Sequence, residues 1–185
     1  MVLHHDAYVG RDQAQDASAV RLYTDNYAQV QLLKKGSGVP RSVALATSVD
    51  AGYETRSGVR DGLAAAGTMA ARVEWTPQWM TSLRGDLFYD RTQTFIAGLP
   101  AGSPYSLPDP SAFLGTGWTG TLDFWPSPWT VVRLEYMHRT ANVPYFSGAG
   151  GITGPGGVPA KDPTTFTPDL RKSDDRVVFN VTLRL

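Results

Sequence analysis

The sequence has no cysteine, which removes a disulfide framework, a thiolate zinc cluster and a thiol nucleophile from consideration. It also lacks a charge surplus: 17 basic residues balance 17 acidic ones, so there is no electrostatic footprint for nucleic acid. No apolar run approaches the roughly 18 residues that a membrane helix needs. That absence excludes helical spans only, because a strand with every second residue facing water hides from hydropathy. The opening residues, Met1-Val2-Leu3-His4-His5-Asp6, offer neither a basic n-region nor an apolar h-region, so they do not read as a signal peptide. Histidine is scarce, and adjacent His4 and His5 would point to opposite faces of a strand, where one ion cannot easily take both. No metal site and no cofactor is expected.

Glycine and proline are plentiful, 19 and 13 residues, and they cluster between runs that alternate polar and apolar. That suits an all-β chain with long loops. The clearest run is 119–139, T-G-T-L-D-F-W-P-S-P-W-T-V-V-R-L-E-Y-M-H-R. Two alternating arms flank a Pro-Ser-Pro connection that no helix crosses, so the segment reads as a β-hairpin. Leu122 and Phe124 share one face of the first arm, with Thr119, Thr121 and Asp123 on the other. Val132, Leu134 and Tyr136 oppose Arg133, Glu135 and Arg139 on the second. One face is wet and the other greasy, with Trp125 and Trp129 bracketing the turn. A second copy lies around Trp75-Thr76-Pro77-Gln78-Trp79, where Val73 and Trp75 oppose Arg72 and Glu74, and Leu83 and Leu87 oppose Arg84 and Asp86.

Eight strands are expected, at about 2–10, 20–33, 42–55, 64–75, 79–90, 116–125, 129–139 and 176–185. In the second, Ala28, Val30 and Leu32 are expected on one face. In the last, Val177, Phe179, Val181 and Leu183 oppose Asn180, Thr182 and Arg184. Connections are asymmetric: tight turns at 76–78 and 126–128, long loops at about 92–115 and 140–175. Counting back from the C-terminus puts both tight turns and the tryptophans at one end. Short periplasmic turns, long outer loops and an aromatic girdle are the habit of an outer-membrane barrel. The fold expected is therefore an antiparallel up-and-down transmembrane β-barrel, one domain over 1–185. A soluble barrel with a greasy interior is the alternative that alternation alone leaves open.

The run from Asp123 to Gly148, D-F-W-P-S-P-W-T-V-V-R-L-E-Y-M-H-R-T-A-N-V-P-Y-F-S-G, with the later P-D-L-R-K from Pro168 to Lys172, resembles the OmpL-like group of outer-membrane β-barrel porins. The resemblance is strong from about Val73 onward and weak before it. It implies a porin-type barrel in the outer membrane of a Gram-negative bacterium, in contact with outer-membrane lipid and the barrel assembly machinery, and it names no solute. Members of that group are usually longer, so the chain is expected to be the C-terminal part of a larger barrel.

Inward-facing candidates for the pore lining are Arg72, Glu74, Arg84, Asp86, Asp123, Arg133, Glu135 and Arg184; the aromatic belt is Trp75, Trp79, Trp125 and Trp129. Mixed signs favour pairing across strands to fill the lumen over a dedicated ion lining, and a lining of this kind would be weakly selective. Two functions follow. One is passive diffusion of small hydrophilic solutes or ions through a barrel with more strands than are visible here. The other is a small closed barrel with a structural or adhesive membrane role, since eight strands leave room only for their own side chains. An outer-membrane lipid hydrolase would need a base at one membrane level, and His138, alone on the apolar face, suits an interface better, so no catalytic residue is assigned.

Overall fold

The computed structural model describes residues 1–11, 19–55, 61–92, 112–149 and 169–183. These form β1 (Val2–Gly10), β2 (Arg21–Leu33), β3 (Ser42–Glu54), β4 (Gly62–Glu74), β5 (Trp79–Asp90), β6 (Phe113–Ser127), β7 (Thr130–Ala141), β8 (Phe146–Ser147), β9 (Leu170–Arg171) and β10 (Ser173–Leu183). No helix occurs among the described residues. Eight strands make one sheet in the order β1-β2-β3-β4-β5-β6-β7-β10, antiparallel at every ladder, and β8 with β9 forms a separate two-stranded ribbon. Within this sheet each strand pairs with the sheet strand that follows it in the chain, with β8 and β9 set apart between β7 and β10.

Side-chain alternation sets two unlike faces. On β3, Leu45, Val49, Ala51 and Tyr53 are exposed, while Ala44, Ala46, Ser48, Asp50, Gly52 and Glu54 are half-buried or buried. The ladders carry the same division across the sheet. Leu122 opposes Leu134, and Leu134 opposes Phe179 in turn; on the other face Asp123 opposes Arg133, and Arg133 opposes Asn180. The burial is inverted relative to a water-soluble fold. Met69 is 70% exposed, Phe179 68%, Val181 52% and Leu134 49%, whereas Glu54 is 1% exposed, Asp90 0% and Asp123 6%. A large apolar side chain left in water forgoes about 1.5–3 kcal/mol of burial, so a face of this kind calls for an apolar cover.

The strands run further than sequence periodicity indicates. β6 begins at Phe113, β7 reaches Ala141 and β10 starts at Ser173, and the β8–β9 ribbon lies inside the long connection expected at 140–175. Most of both long loops, at 93–111 and 150–168, falls outside the described residues, as does Arg184. The turn expected at 126–128 sits one residue later. The β6–β7 register shifts between Phe124 and Ser127, Ser127 pairs with Thr130, and Pro128-Trp129 makes the loop. Pro126 has no N–H to give a ladder, and an irregularity is where a strand tolerates it. A similar shift in β2 brings Leu33, not Leu32, opposite Val43.

The connections at 34–41, 75–78 and 128–129 share one end of the sheet, while the paired strand ends Gly10 and Arg21, Glu54 and Gly62, Asp90 and Phe113, and Thr140 and Ser173 share the other. β10 finishes at the first end, since Leu183 pairs with Thr130 beside the 128–129 turn. Among the described residues the edge strands β1 and β10 do not pair with each other, so the sheet is open. Straight across the seven ladders, one row reads His5, Asn26, Val49, Gly67, Leu87, Thr116, Thr140, Ser173. Mid-strand His5 is thus level with the first residue of β10.

Candidate functional site

The polar face of the sheet carries the candidate residues, and the ladders decide their partners. Asp123 and Arg133 are directly opposed on β6 and β7, and the guanidinium grips the carboxylate with two bonds, Nε to Oδ1 at 2.7 Å and a terminal nitrogen to Oδ2 at 2.9 Å. Two parallel bonds to one carboxylate fix orientation as well as distance. Glu135, two residues along the strand from Arg133, accepts from Thr121 Oγ1 across the ladder at 3.2 Å. Arg84 and Asp86 pair along a single strand, Nε to Oδ2 at 2.9 Å, and Thr68 donates to the other carboxylate oxygen at 2.9 Å.

Glu74 sits at the short-turn end and is held from outside its own hairpin: Arg41 donates at 3.0 Å, and the Lys35 ammonium lies 3.4 Å away. Arg72 lies against Met80 and has no carboxylate partner among the described residues. Of the eight candidates, then, four form two close pairs, Glu74 is neutralised by turn residues, Glu135 is held by a hydroxyl and Arg72 stands apart. Arg184 lies outside the described residues.

The same face carries further charges that the candidate set omits. Arg21 grips the buried Glu54 carboxylate with bonds of 2.8 and 2.6 Å. Asp25 and Asp50 oppose each other directly on β2 and β3. Arg139 donates to Asp174, which also accepts from Arg176 at 2.8 Å. Each of these residues has the parity of the polar face, which is the signal that places it there, as it does Arg139 in the sequence alone.

The tryptophans divide. Trp79 stacks on Phe124 with centroids 4.6 Å apart on the apolar face, and Trp75 donates its Nε1–H to Thr81 at 2.9 Å. Trp129 lies in the turn and is 65% exposed. Alternation puts Trp125 on the face opposite Phe124, next in line after Asp123, and its backbone N–H donates to Gln78 at 2.8 Å. Trp118 was not among the belt residues. It lies on the apolar face toward the long-loop end, edge-on to Tyr136 at 5.0 Å and beside His138. His138 bonds Asp175 at 2.8 Å, as does the Tyr136 hydroxyl at 2.6 Å. At the chain start, His4 contacts Asp6 at 2.6 Å and His5 contacts Asn26 at 2.7 Å, with alternation putting the two rings on opposite faces of β1. Comparison with family models, curated proteins and solved structures finds no match for this chain.

Proposed function

We propose that this chain forms wall of a transmembrane β-barrel of porin type in a bacterial outer membrane, with the polar face toward a water-filled lumen through which small hydrophilic solutes or ions diffuse. The observation that carries the reading is the inverted burial: exposed leucines, valines and aromatics on one face, buried carboxylates and paired charges on the other. Lipid supplies the apolar cover that water does not, and a meander of antiparallel strands satisfies its backbone between strands as a membrane requires. Spacing agrees. From Trp79 to Tyr89, aromatics near either end of β5, about ten residues at ~3.3 Å give ~33 Å along the strand, or ~25 Å across a membrane at a tilt of ~40°.

The test is reconstitution. Purified protein should need detergent, insert into lipid vesicles, and in its pore-forming state give channels with weak preference between cations and anions. Partition into the aqueous phase without detergent would refute the membrane reading. Channels with strong ion selectivity would refute the account of the lining as mutually neutralised pairs.

One observation favours the second reading, a small closed barrel with a structural or adhesive role. Closing eight strands at a tilt of ~35–45° needs a stagger of about eight to ten residues. With His5 level with Ser173, a stagger of about ten brings His5 opposite Leu183, the last residue of β10, and keeps both on the apolar face. A cysteine pair at His5 and Leu183 separates the two. Efficient intramolecular cross-linking in vesicles supports self-closure. A pore of porin width, in which other strands occupy both edges, leaves the pair uncross-linked.

A further inference from the structure

At the long-loop end of the polar face is a pocket of about 450 Å³, floored by β6 and β7. That volume is within the range of small-molecule sites, roughly 300–1,000 Å³. Its floor is bare because two successive inward positions of β6 are glycine. A Cβ at Gly115 would meet the Phe113 ring at 3.0 Å, and one at Gly117 would stand 3.4 Å from the Arg139 stem. One wall is aromatic: Phe113 lies edge-on to Tyr145 at 4.9 Å, Tyr145 to Phe146 at 5.4 Å, and Arg139 sits over the Phe146 ring at 4.9 Å.

Two residues that line this pocket each carry a buried polar atom without a hydrogen-bond partner, Thr119 Oγ1, on a residue 4% exposed, and Arg139 Nε. A buried hydroxyl or N–H left unmet costs about 1–3 kcal/mol, and a ligand that meets it recovers that cost. The charges in the pocket are already matched, Arg84 by Asp86 and Arg139 by Asp174. An anion would have to face Asp86 and a cation Arg84, so the electrostatics favour a ligand with no net charge.

We propose that this pocket binds a neutral saccharide ring. A pyranose presents an apolar C–H face for Tyr145 and Phe146 and, around its edge, hydroxyls that both donate and accept. Those hydroxyls meet Arg139 Nε as acceptors and Thr119 Oγ1 in either sense, with the Asp86 carboxylate available as a further acceptor. Such stacking plus edge bonding distinguishes the ligand from a flat aromatic molecule, which would fill the wall and leave both orphaned atoms unmet. The inference deepens the porin reading, on which it rests for placing the pocket in a solute path.

The experiment uses the full chain in detergent micelles and cellobiose as probe, followed by saturation transfer from protein to the sugar ring protons, so no conductance is required. Cellobiose should bind with transfer concentrated on ring C–H protons. Thr119→Val should weaken binding about fivefold and Thr119→Ser should restore it, since serine keeps the hydroxyl. Tyr145→Ala, at a side chain exposed enough to be removed without disturbing the sheet, should weaken it by a similar factor. Absence of transfer at tens of millimolar sugar, or equal binding by wild type, Thr119→Val and Tyr145→Ala, overturns the proposal. So does displacement of cellobiose by benzoate at lower concentration, which would assign the pocket to aromatic acids. Failure of the porin reading shows separately, as loss of vesicle insertion with sugar binding intact.

Discussion

The β4–β5 and β6–β7 hairpins share a sequence signature, a tryptophan on either side of a proline-containing turn followed by an Arg-x-acid step, and they reach different structures from it. In the first, the turn is held by one hydroxyl: Thr76 Oγ1 accepts from the backbone N–H of Gln78 at 3.2 Å and of Trp79 at 3.0 Å. In the second, the strand runs on through Pro126 with a register shift, and the loop shortens to Pro128-Trp129. The charges differ as well. Arg84 reaches along its own strand to Asp86, whereas Arg133 reaches across the ladder to Asp123. Only in the second does the arginine itself tie two strands together; in the first the cross-strand bond is the one from Thr68 Oγ1 to Asp86, so a repeated motif need not repeat its mechanical role.

The largest effect should be common to both hairpins. Leu83 and Leu134 are exposed on the apolar face, 58% and 49%. If lipid covers that face, Leu83→Arg and Leu134→Arg should each cost roughly 2–4 kcal/mol in urea unfolding from vesicles. Arginine at Thr182, on the polar face, should cost much less, because its head group reaches lumen water. Equal losses at Thr182 and at its neighbour Val181 would remove the assignment of faces. A large loss at only one of the two leucines would show that the hairpins do not sit alike in the membrane.

The intermediate effect should separate the hairpins. Asp123 is buried and bound at both oxygens, so Asp123→Ala strands the half-exposed Arg133 and should cost about 1–3 kcal/mol. Asp86→Ala breaks a pair within one strand whose partners are both substantially exposed, together with one bond from Thr68, and should cost about 1 kcal/mol. A double-mutant cycle on Asp123 and Arg133 should show coupling that the Arg84 and Asp86 cycle lacks. Comparable coupling in both would mean that the strand-crossing geometry contributes nothing of its own.

Period-two alternation made the strands legible: all eight strands of the large sheet lie where polar and apolar residues alternate, and the Leu122, Leu134 and Phe179 row needed only parity to find. The extension of β6 from Phe113 to Gly115 was hidden because Gly115 looks like loop while a ladder accepts it. Partner choice was not legible. Arg133 has Glu135 two residues away in sequence, yet the register delivers Asp123 face to face, and sequence alone does not fix register across a connection. The pocket at the long-loop end combines β6 and β7 with Tyr145 and Phe146, which follow β7 in a stretch that reads as loop. Its two unmet polar atoms are a property of packing, which no spacing of residues announces. Closure was expected from the pattern and is not seen in the sheet, because alternation constrains faces and says nothing about edges.

The smallest effect concerns the turns. Thr76→Ala removes the acceptor for two backbone N–H groups, while the Trp75 and Thr76 N–H groups keep their bonds to the Trp79 carbonyl at 3.0 and 3.3 Å. The loss should be about 0.5–1.5 kcal/mol, the scale of a side chain that caps exposed backbone donors. Ser127→Ala in the other hairpin removes one long bond, 3.3 Å from the Trp129 N–H to Oγ, and a contact with Thr130 at 3.2 Å. That hairpin is held by its cross-strand Arg133 and Asp123 pair a short way up the ladder, so the change should stay within about 0.5 kcal/mol. Amide hydrogen exchange at Gln78 and Trp79, against Trp129, reads the difference locally. If Trp129 loses as much protection as Trp79 does, the second turn depends on its hydroxyl too, and the contrast between the hairpins lies in their charges alone.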